Sequence, residues 1–311
     1  MSEANRFNVA IIGQGPAGMT AALYAGRAGL STVSFERMGP GGQMTTTDAL
    51  DNYPGFAEGA EPFALSFAMS AQAARFGAQA KTDEVVGLDL ASTPKRIVTA
   101  SGEEYAADAV ILAMGAAPRP LGISHEDELR GKGISYCATC DGGFFKGKVA
   151  VVVGGGNTAV EDAMYLANIC TEVHLVHRRD TLRADAIYAK PLDELKNVTK
   201  HMSAAVDGVR EEDGRVAGVL IRDLATGEVT DLDASALFVA VGSLPKSDIL
   251  RDTGIELDER GYVVAGEDGK TSIPGVFAAG DVRTKQLRQV ATAVGDGANA
   301  AASAFEFLSF E

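Results

Sequence analysis

One block of this sequence is written twice. The stretch FNVAIIGQGPAGMTAALYAGRAGLSTVSFE, residues 7–36, returns in plan as GKVAVVVGGGNTAVEDAMYLANICTEVHLVHR, residues 147–178. In the first copy an apolar strand ends at Ile12 and Gly13-x-Gly15-x-x-Gly18 follows at once. A helical pattern then leads to a second strand, Thr32 to Phe35, ending at Glu36. Each glycine has its own physical reason. Gly13 allows a tight turn, Gly15 lets the backbone approach a pyrophosphate, and Gly18 lets helix lie close on strand. The phosphates belong at the helix N-terminus, where unpaired N–H groups and the dipole favour anions. Pro16 and Ala17 open that helix, and proline suits its first position. A chain built on two such strand–glycine–helix–strand units is α/β, with two Rossmann-like dinucleotide-binding domains.

The copies differ where it matters. Gly13 aligns with Gly154, Gly15 with Gly156, Gly18 with Ala159, and Glu36 with His177. Glu36 is placed to accept hydrogen bonds from a ribose diol, which suits a nucleotide with a free 2′-hydroxyl such as FAD. The second copy carries no acid there. It runs His177-Arg178-Arg179, with Arg183 close behind. Guanidinium groups pair with phosphate in two-pronged, charge-assisted bonds, so the second site is expected to take a 2′-phosphate and to prefer NADPH to NADH. Asn157, Thr158 and Ala159 open its helix. His177 either lines that phosphate or simply ends its strand.

A further pair of matching stretches, AVILAMGAAPRP (109–120) and ALFVAVGSLPKS (236–247), runs a buried strand into glycine and then proline. These are expected to be chain crossings between domains. The second unit then becomes an insertion, residues 118–244, within a first dinucleotide-binding unit made of residues 1–117 and 245–311. After the insertion a strand, Val276 to Ala279, ends at Gly280-Asp281, where Asp281 is placed to hold a polyol chain. A helix rich in small residues then runs towards the C-terminus.

Composition narrows the partners. A net charge of −14 argues against nucleic acid or an anionic membrane surface as the main partner, while leaving room for a local phosphate site. Apolar stretches such as DAVILAMGAA stop well short of the roughly 20 residues that a membrane span needs. The first residues, MSEANRFNVAIIGQG, show no basic, apolar and cleavage regions of a leader. Three cysteines make no secreted disulfide framework, and the expected location is the cytoplasm.

Taken in order, GQGPAG, GGQM, NYPGF, SYCATCDG, GGGNTA, HRRD, AAGDVR and RQVATAVGDGANAA cover nearly the whole length. Together they resemble the low-molecular-weight, bacterial type of thioredoxin reductase. The resemblance implies that the first and last segments bind FAD, that the inserted segment binds NADPH, and that Cys137 and Cys140 sit in the inserted domain. It implies that Gly42, Gln43, Asn52 and Gly115 join the FAD site with Gly280 and Asp281. It also implies that Arg288, Gln289 and Val290 start the last helix and offer N–H groups to the flavin's pyrimidine end. Electrons would pass from NADPH through FAD and the cysteine pair to the disulfide of a thioredoxin or thioredoxin-like protein, with Cys140 nearer the flavin. The inserted domain would swing about its crossings, near residues 117–120 and 243–246, and the molecule would be a homodimer.

The cysteine pair itself admits several chemistries. A zinc site needs four ligands, and no second Cys-x-x-Cys or close histidine pair accompanies this one, so no metal is expected. A c-type haem needs His after the second cysteine, where Asp141 stands. A structural disulfide fits a cytoplasmic chain poorly. Redox exchange remains, and Asp141 is the candidate acid that protonates a leaving thiolate; it also suits a helix N-cap. Cys170 is expected to be a buried small residue and His174 a structural one, while His125 and His201 receive no role. A ferredoxin-driven reductase would lack GGGNTA and HRRD. A small-molecule dithiol oxidase would leave the arginines idle, and a dinucleotide-binding redox sensor would not need both cysteines.

Overall fold

The computed structural model describes residues 5–46 and 49–310. The first four residues, at the head of the stretch searched above for a leader, lie outside it, as do Thr47 and Asp48 after GGQM. The chain forms two compact units, one made of Met1–Ala117 with Leu244–Glu311 and the other of Pro118–Ser243.

In the first unit the strand Arg6–Ile12 lies between Thr32–Glu36 and Glu104–Leu112, parallel to both, with Gln79–Thr82 beyond Thr32–Glu36. The long strand Glu104–Leu112 is shared. Its first half pairs antiparallel with Lys95–Thr99 and its last residues pair parallel with Val276–Ala278. Val85–Asp89 completes the antiparallel edge of this seven-stranded sheet. Ile12 stands level with both Phe35 and Leu112. Gly13, Glu36 and Ala113 therefore emerge at one edge, the carboxyl ends where doubly wound sheets bind ligands.

Both faces of the sheet are buried, which is why its central strands are almost wholly apolar. One face meets Pro16–Arg27 and Val290–Phe310, helices whose inward residues are mostly alanine. Small side chains are required there: a Cβ on Gly297 would lie 2.2 Å from the Ala17 carbonyl oxygen. The other face is filled by larger groups, among them Phe35 and Tyr105 with rings edge to face at 4.9 Å. The strand after the insertion stops at Ala278, and the last helix starts at Val290, so Arg288 and Gln289 precede it.

In the second unit five parallel strands run in the order Val198–Met202, Glu172–His177, Val149–Gly154, Ala236–Ala240 and Ile134–Ser135. Alternate residues of one strand face different layers, as the pleat dictates. Ala150 and Val152 meet the helix Asn157–Ala167, whereas Val151 and Val153 meet an antiparallel meander of Ala204–Glu212, Arg215–Asp223 and Val229–Asp233. The chain passes between units at Ala116–Pro118 and Ser243–Pro245. Within the first unit the Lys246 N–H donates to the Gly115 carbonyl at 3.0 Å, and within the second the Arg119 N–H donates to that of Gly242 at 2.9 Å.

Candidate functional site

In the first glycine loop two glycines are demanded by the chain itself. A Cβ on Gly13 would stand 2.4 Å from the Ala113 carbonyl oxygen, and one on Gly18 would stand 1.9 Å from that of Gly13. Gly15 is different, because a Cβ there would meet nothing within 4 Å. It caps the helix Pro16–Arg27 in extended conformation with no side-chain bond to the first turn. Glu61, by contrast, uses its carboxylate to cap Pro62–Arg75 at the N–H groups of Phe63 and Ala64. A second loop closes over the first. The Gly41 N–H donates to the Gln14 carbonyl at 2.8 Å, and a Cβ on Gly42, at φ +60°, would lie 3.2 Å from the Gly15 Cα. Glu36 ends its strand with its carboxylate accepting from the N–H groups of Gln14 and Arg37.

The rest of this unit's expected dinucleotide residues gather at the same sheet edge or beside the last helix. Asn52 donates through Nδ2 to Gln289 Oε1 at 3.0 Å, joining two residues 237 positions apart. Asp281 follows Gly280 in a short turn beyond Ala278, and its Oδ1 is buried without a hydrogen-bond partner. Burial pushes this carboxyl above the usual range, with Lys285 and Arg288 pulling it back and Asp296 adding to the push. An orphaned buried acceptor costs free energy unless a ligand satisfies it, and a polyol hydroxyl has the chemistry to do so. Of the N–H groups expected to be offered at the last helix, that of Gln289 instead donates to Thr292 Oγ1 at 3.2 Å. The Arg288 guanidinium lies over the Tyr262 ring and donates to the carbonyls of Asp281, Arg283 and Lys285.

The second loop repeats the logic with other residues. A Cβ on Gly154 would stand 2.4 Å from the Ala240 carbonyl oxygen, while Gly156, N-cap of Asn157–Ala167, has nothing within 4 Å and no side-chain cap. Ala159, fully buried, takes the place of the third glycine. His177 is buried at the end of its strand with its ring under the loop, and a Cβ on Gly155 would fall 2.2 Å from it. Its Nε2 has no partner. Burial first, then Arg183 and Arg179, hold this imidazole below its ordinary value, which favours the neutral ring. Arg178, Arg179 and Arg183 are exposed, and none forms an ion pair among the described residues. In a chain of net charge −14, three exposed arginines without an ion pair in one segment have the chemistry to pair with an anion.

Cys137 and Cys140 form a disulfide, with Cα atoms 5.3 Å apart, across the short helix Ala138–Asp141. The N–H groups of Cys140 and Asp141 donate to the Cys137 carbonyl, closing the turn. Asp141 ends that helix and its carboxylate makes no cap bond. Asp141 stands at the N-cap of the 3-10 turn Gly142–Phe145 but its side chain makes no capping bond there, and Ser135, on the preceding strand, donates its hydroxyl to Asp141 Oδ2 at 2.6 Å. The same hydroxyl oxygen accepts the Cys137 N–H at 3.1 Å. Upstream, Tyr136 donates to buried Glu126, which also accepts three N–H groups from Leu121, Gly122 and Ile123. Cys170 is buried, with its thiol on the Phe145 carbonyl.

The match to known proteins decides the family. Residues 7–297 fit the model of the pyridine nucleotide-disulphide oxidoreductases. The chain is 43% identical over 99% of its length to the thioredoxin reductase of Bacillus subtilis, covering 96% of that protein. It belongs to this family. Within the family it is a thioredoxin reductase of the bacterial type and so an oxidoreductase that uses a flavin and a nicotinamide dinucleotide. It is also 45% identical, over 97% of its length, to a bifunctional thioredoxin reductase/thioredoxin of Mycobacterium leprae, of which it covers 66%. The crystal structure of a thioredoxin reductase from Streptococcus pyogenes superimposes with a TM-score of 0.90 at 39% identity, covering 98% of this chain and 99% of that one.

Several groups that this family member relies on structurally were not visible as a site in the sequence. The largest is buried in the first unit. Asp296 accepts the Gly280 N–H at 2.9 Å, two bonds from Arg283 at 2.7 and 2.9 Å, and Lys285 Nζ at 2.9 Å. Burial pushes its carboxyl up, and Arg283 and Lys285 more than reverse this. A signal existed: an aspartate amid small residues in AVGDGANAA, on a helix that packs closely, is buried and needs a partner. The second is the pair His174 and His201, Nδ1 to Nε2 at 3.0 Å across neighbouring strands.

Proposed function

We propose that this chain is an NADPH-dependent thioredoxin-disulfide reductase with FAD as its flavin. The Cys137–Cys140 disulfide, in a chain carrying two dinucleotide loops, carries the reading. We assign FAD to the discontinuous unit and NADPH to the inserted one, on the contrast between Glu36 and the His177–Arg179 stretch. In this reading Gly13, Gly15 and Gly42 take the FAD pyrophosphate, Glu36 its ribose and Asp281 its ribityl chain. Gly154 and Gly156 take that of NADPH, and Arg178, Arg179 and Arg183 its 2′-phosphate. When bound, the two nucleotides supply the electron pair that opens the disulfide.

What the chain's own residues do then follows by thiol–disulfide exchange. Two electrons and two protons convert the Cys137–Cys140 disulfide to a dithiol. One thiolate attacks the partner's disulfide, forming a mixed disulfide and releasing the partner's other sulfur. The second thiolate attacks its neighbour, restores the Cys137–Cys140 bond and frees the partner as a dithiol. Asp141, held by Ser135 beside the pair, supplies and recovers the proton at the leaving sulfur. Cys140 faces the flavin in this reading, and Cys137 is left for the partner. The fused thioredoxin of the Mycobacterium leprae relative supports a thioredoxin as that partner.

We also infer a cytoplasmic homodimer. No helix among the described residues is long and apolar enough to cross a membrane. Sedimentation of the yellow protein at twice the chain mass is expected.

Anaerobic titration of the purified protein with NADPH, then NADH, tests the electron route at the flavin absorbance. Prompt bleaching by NADPH, weak bleaching by NADH, and loss of thioredoxin reduction but not of bleaching in Cys140→Ser are expected. Absence of bleaching by either nucleotide would overturn the route.

A further inference from the structure

The arginines of the second site ride on an irregular segment between the strand Glu172–His177 and the helix Ala186–Asp193. Exposed chain of this kind holds an anion only as firmly as it is itself held, because ordering it on binding costs entropy. The segment is fastened at both ends. The Ser203 N–H donates to the Arg179 carbonyl at 2.9 Å, and the Arg183 N–H donates to the Gly155 carbonyl at 2.7 Å. The last fastening is two-way. Asn157 donates through Nδ2 to Asp185 Oδ2 at 2.8 Å, and its Oδ1 accepts the Asp185 N–H at 2.9 Å.

Two features of this pair call for an explanation. Asp185 occupies the N-cap of its own helix, yet its side chain makes no capping bond, forgoing a stabilisation worth about 1 kcal/mol. Its carboxylate also stands beside an anion site, where a negative charge works against the ligand. Both costs are met if the bond to Asn157 is what the carboxylate is for. Asn157 is the first residue of the helix behind the second glycine loop, so the bond ties the arginine segment to the part of the loop that faces a pyrophosphate.

We propose that Asn157 and Asp185 form a clamp that seats the arginine segment over the second glycine loop and so positions it to recognise a 2′-phosphate. The inference rests on the NADPH reading given above and deepens it. Asp185 is a positioning residue: it acts through Arg178, Arg179 and Arg183 and touches no ligand itself.

The clamp and a simple charge effect predict opposite signs, which makes the test clean. The full flavin-loaded protein is titrated calorimetrically with 2′,5′-ADP and with 5′-AMP, which lacks the 2′-phosphate. The unaltered protein binds 2′,5′-ADP more tightly. Asp185→Ala is expected to weaken 2′,5′-ADP about tenfold and 5′-AMP less than about twofold, as loss of one charge-assisted bond would. Asp185→Asn, whose amide oxygen still accepts from Asn157, is expected to stay within about twofold of the unaltered protein. Tighter binding of 2′,5′-ADP by both variants would show that Asp185 acts only as a local charge and would overturn the clamp. Equal weakening of both probes by Asp185→Ala, or no change, would overturn it too. Failure of the unaltered protein to distinguish the probes would instead bring down the 2′-phosphate reading on which the clamp stands.

Discussion

The two glycine loops solve one packing problem with different residues, and the exchange is reciprocal. In the first loop the residue after the first glycine is Gln14, buried, with its side-chain amide on the Ser34 carbonyl and its own N–H on Glu36. In the second loop that residue is Gly155, because the His177 ring fills the space a side chain would need. The identity of the strand-end residue and that of the loop residue are thus one decision. An acid at the strand end bonds the loop from the side and leaves room for a side chain, whereas an imidazole slides under the loop and forbids one. The third position shows the converse. Gly18 is closed off by the Gly13 carbonyl at 1.9 Å from a virtual Cβ, while the second loop accommodates the methyl group of Ala159.

If that comparison is right, Gly18→Ala is the most damaging small change. The added methyl group must push the helix off its loop, and the expected product is colourless protein that retains no flavin after desalting. A variant that stays yellow would break the argument. Next in size is Asp296→Ala. The first unit depends on a buried ion cluster, and removal of its anion strips buried Arg283 and Lys285 of their shared buried partner, leaving Arg283 only the longer 3.7 Å contact to exposed Glu267. A loss of about 3–5 kcal/mol is expected, seen as a lower melting temperature and easy release of flavin.

The units should also differ in acid. All four histidines, at 125, 174, 177 and 201, lie in the inserted unit. Burial holds His174 and His201 below the ordinary imidazole value. An unfolded chain takes up protons there more readily than the fold does, so these groups make stability fall as pH drops through the ordinary imidazole range. His201→Asn is expected to lose less stability than the unaltered protein between pH 7.5 and 5.5, measured by urea unfolding at each pH. Identical slopes would remove the pair from the account. The smallest effect belongs to Ala159→Gly, which restores the third glycine. It should cost about 1 kcal/mol, the usual price of glycine within a helix, and leave nucleotide binding intact.

How legible these features were depends on what imposed them. Gly15 and Gly156 stood out because nothing in the chain explains them; a ligand's demand for close approach writes glycine into sequence directly. The fold class followed from the same repeats, since strand, glycine turn and helix are local patterns. The bond from Asn52 to Gln289 spans 237 positions, and no local pattern carries it. Asp141 holds an N-cap position that the local sequence suggests, and only the neighbouring strand, which brings Ser135 to its carboxylate, shows where its side chain is bonded. His201 carries no local signal, because its partner lies 27 residues away on an adjacent strand. Pairings across strands depend on register, which periodicity alone leaves open.

The lips of each crossing have a consequence for how such a molecule can be built. In the first unit the gap left by the insertion is bridged by the bond between Lys246 and Gly115, and in the second the two ends meet at Arg119 and Gly242. Chain ends that lie side by side can be rejoined by a short loop without disturbing the fold around them. A gene encoding the first unit with residues 118–243 replaced by a glycine-rich turn should yield a smaller yellow protein, and the excised piece should fold as its own module. On the assignment proposed above, such an architecture would let one electron-supplying cassette be exchanged for another while the flavin scaffold stays as it is.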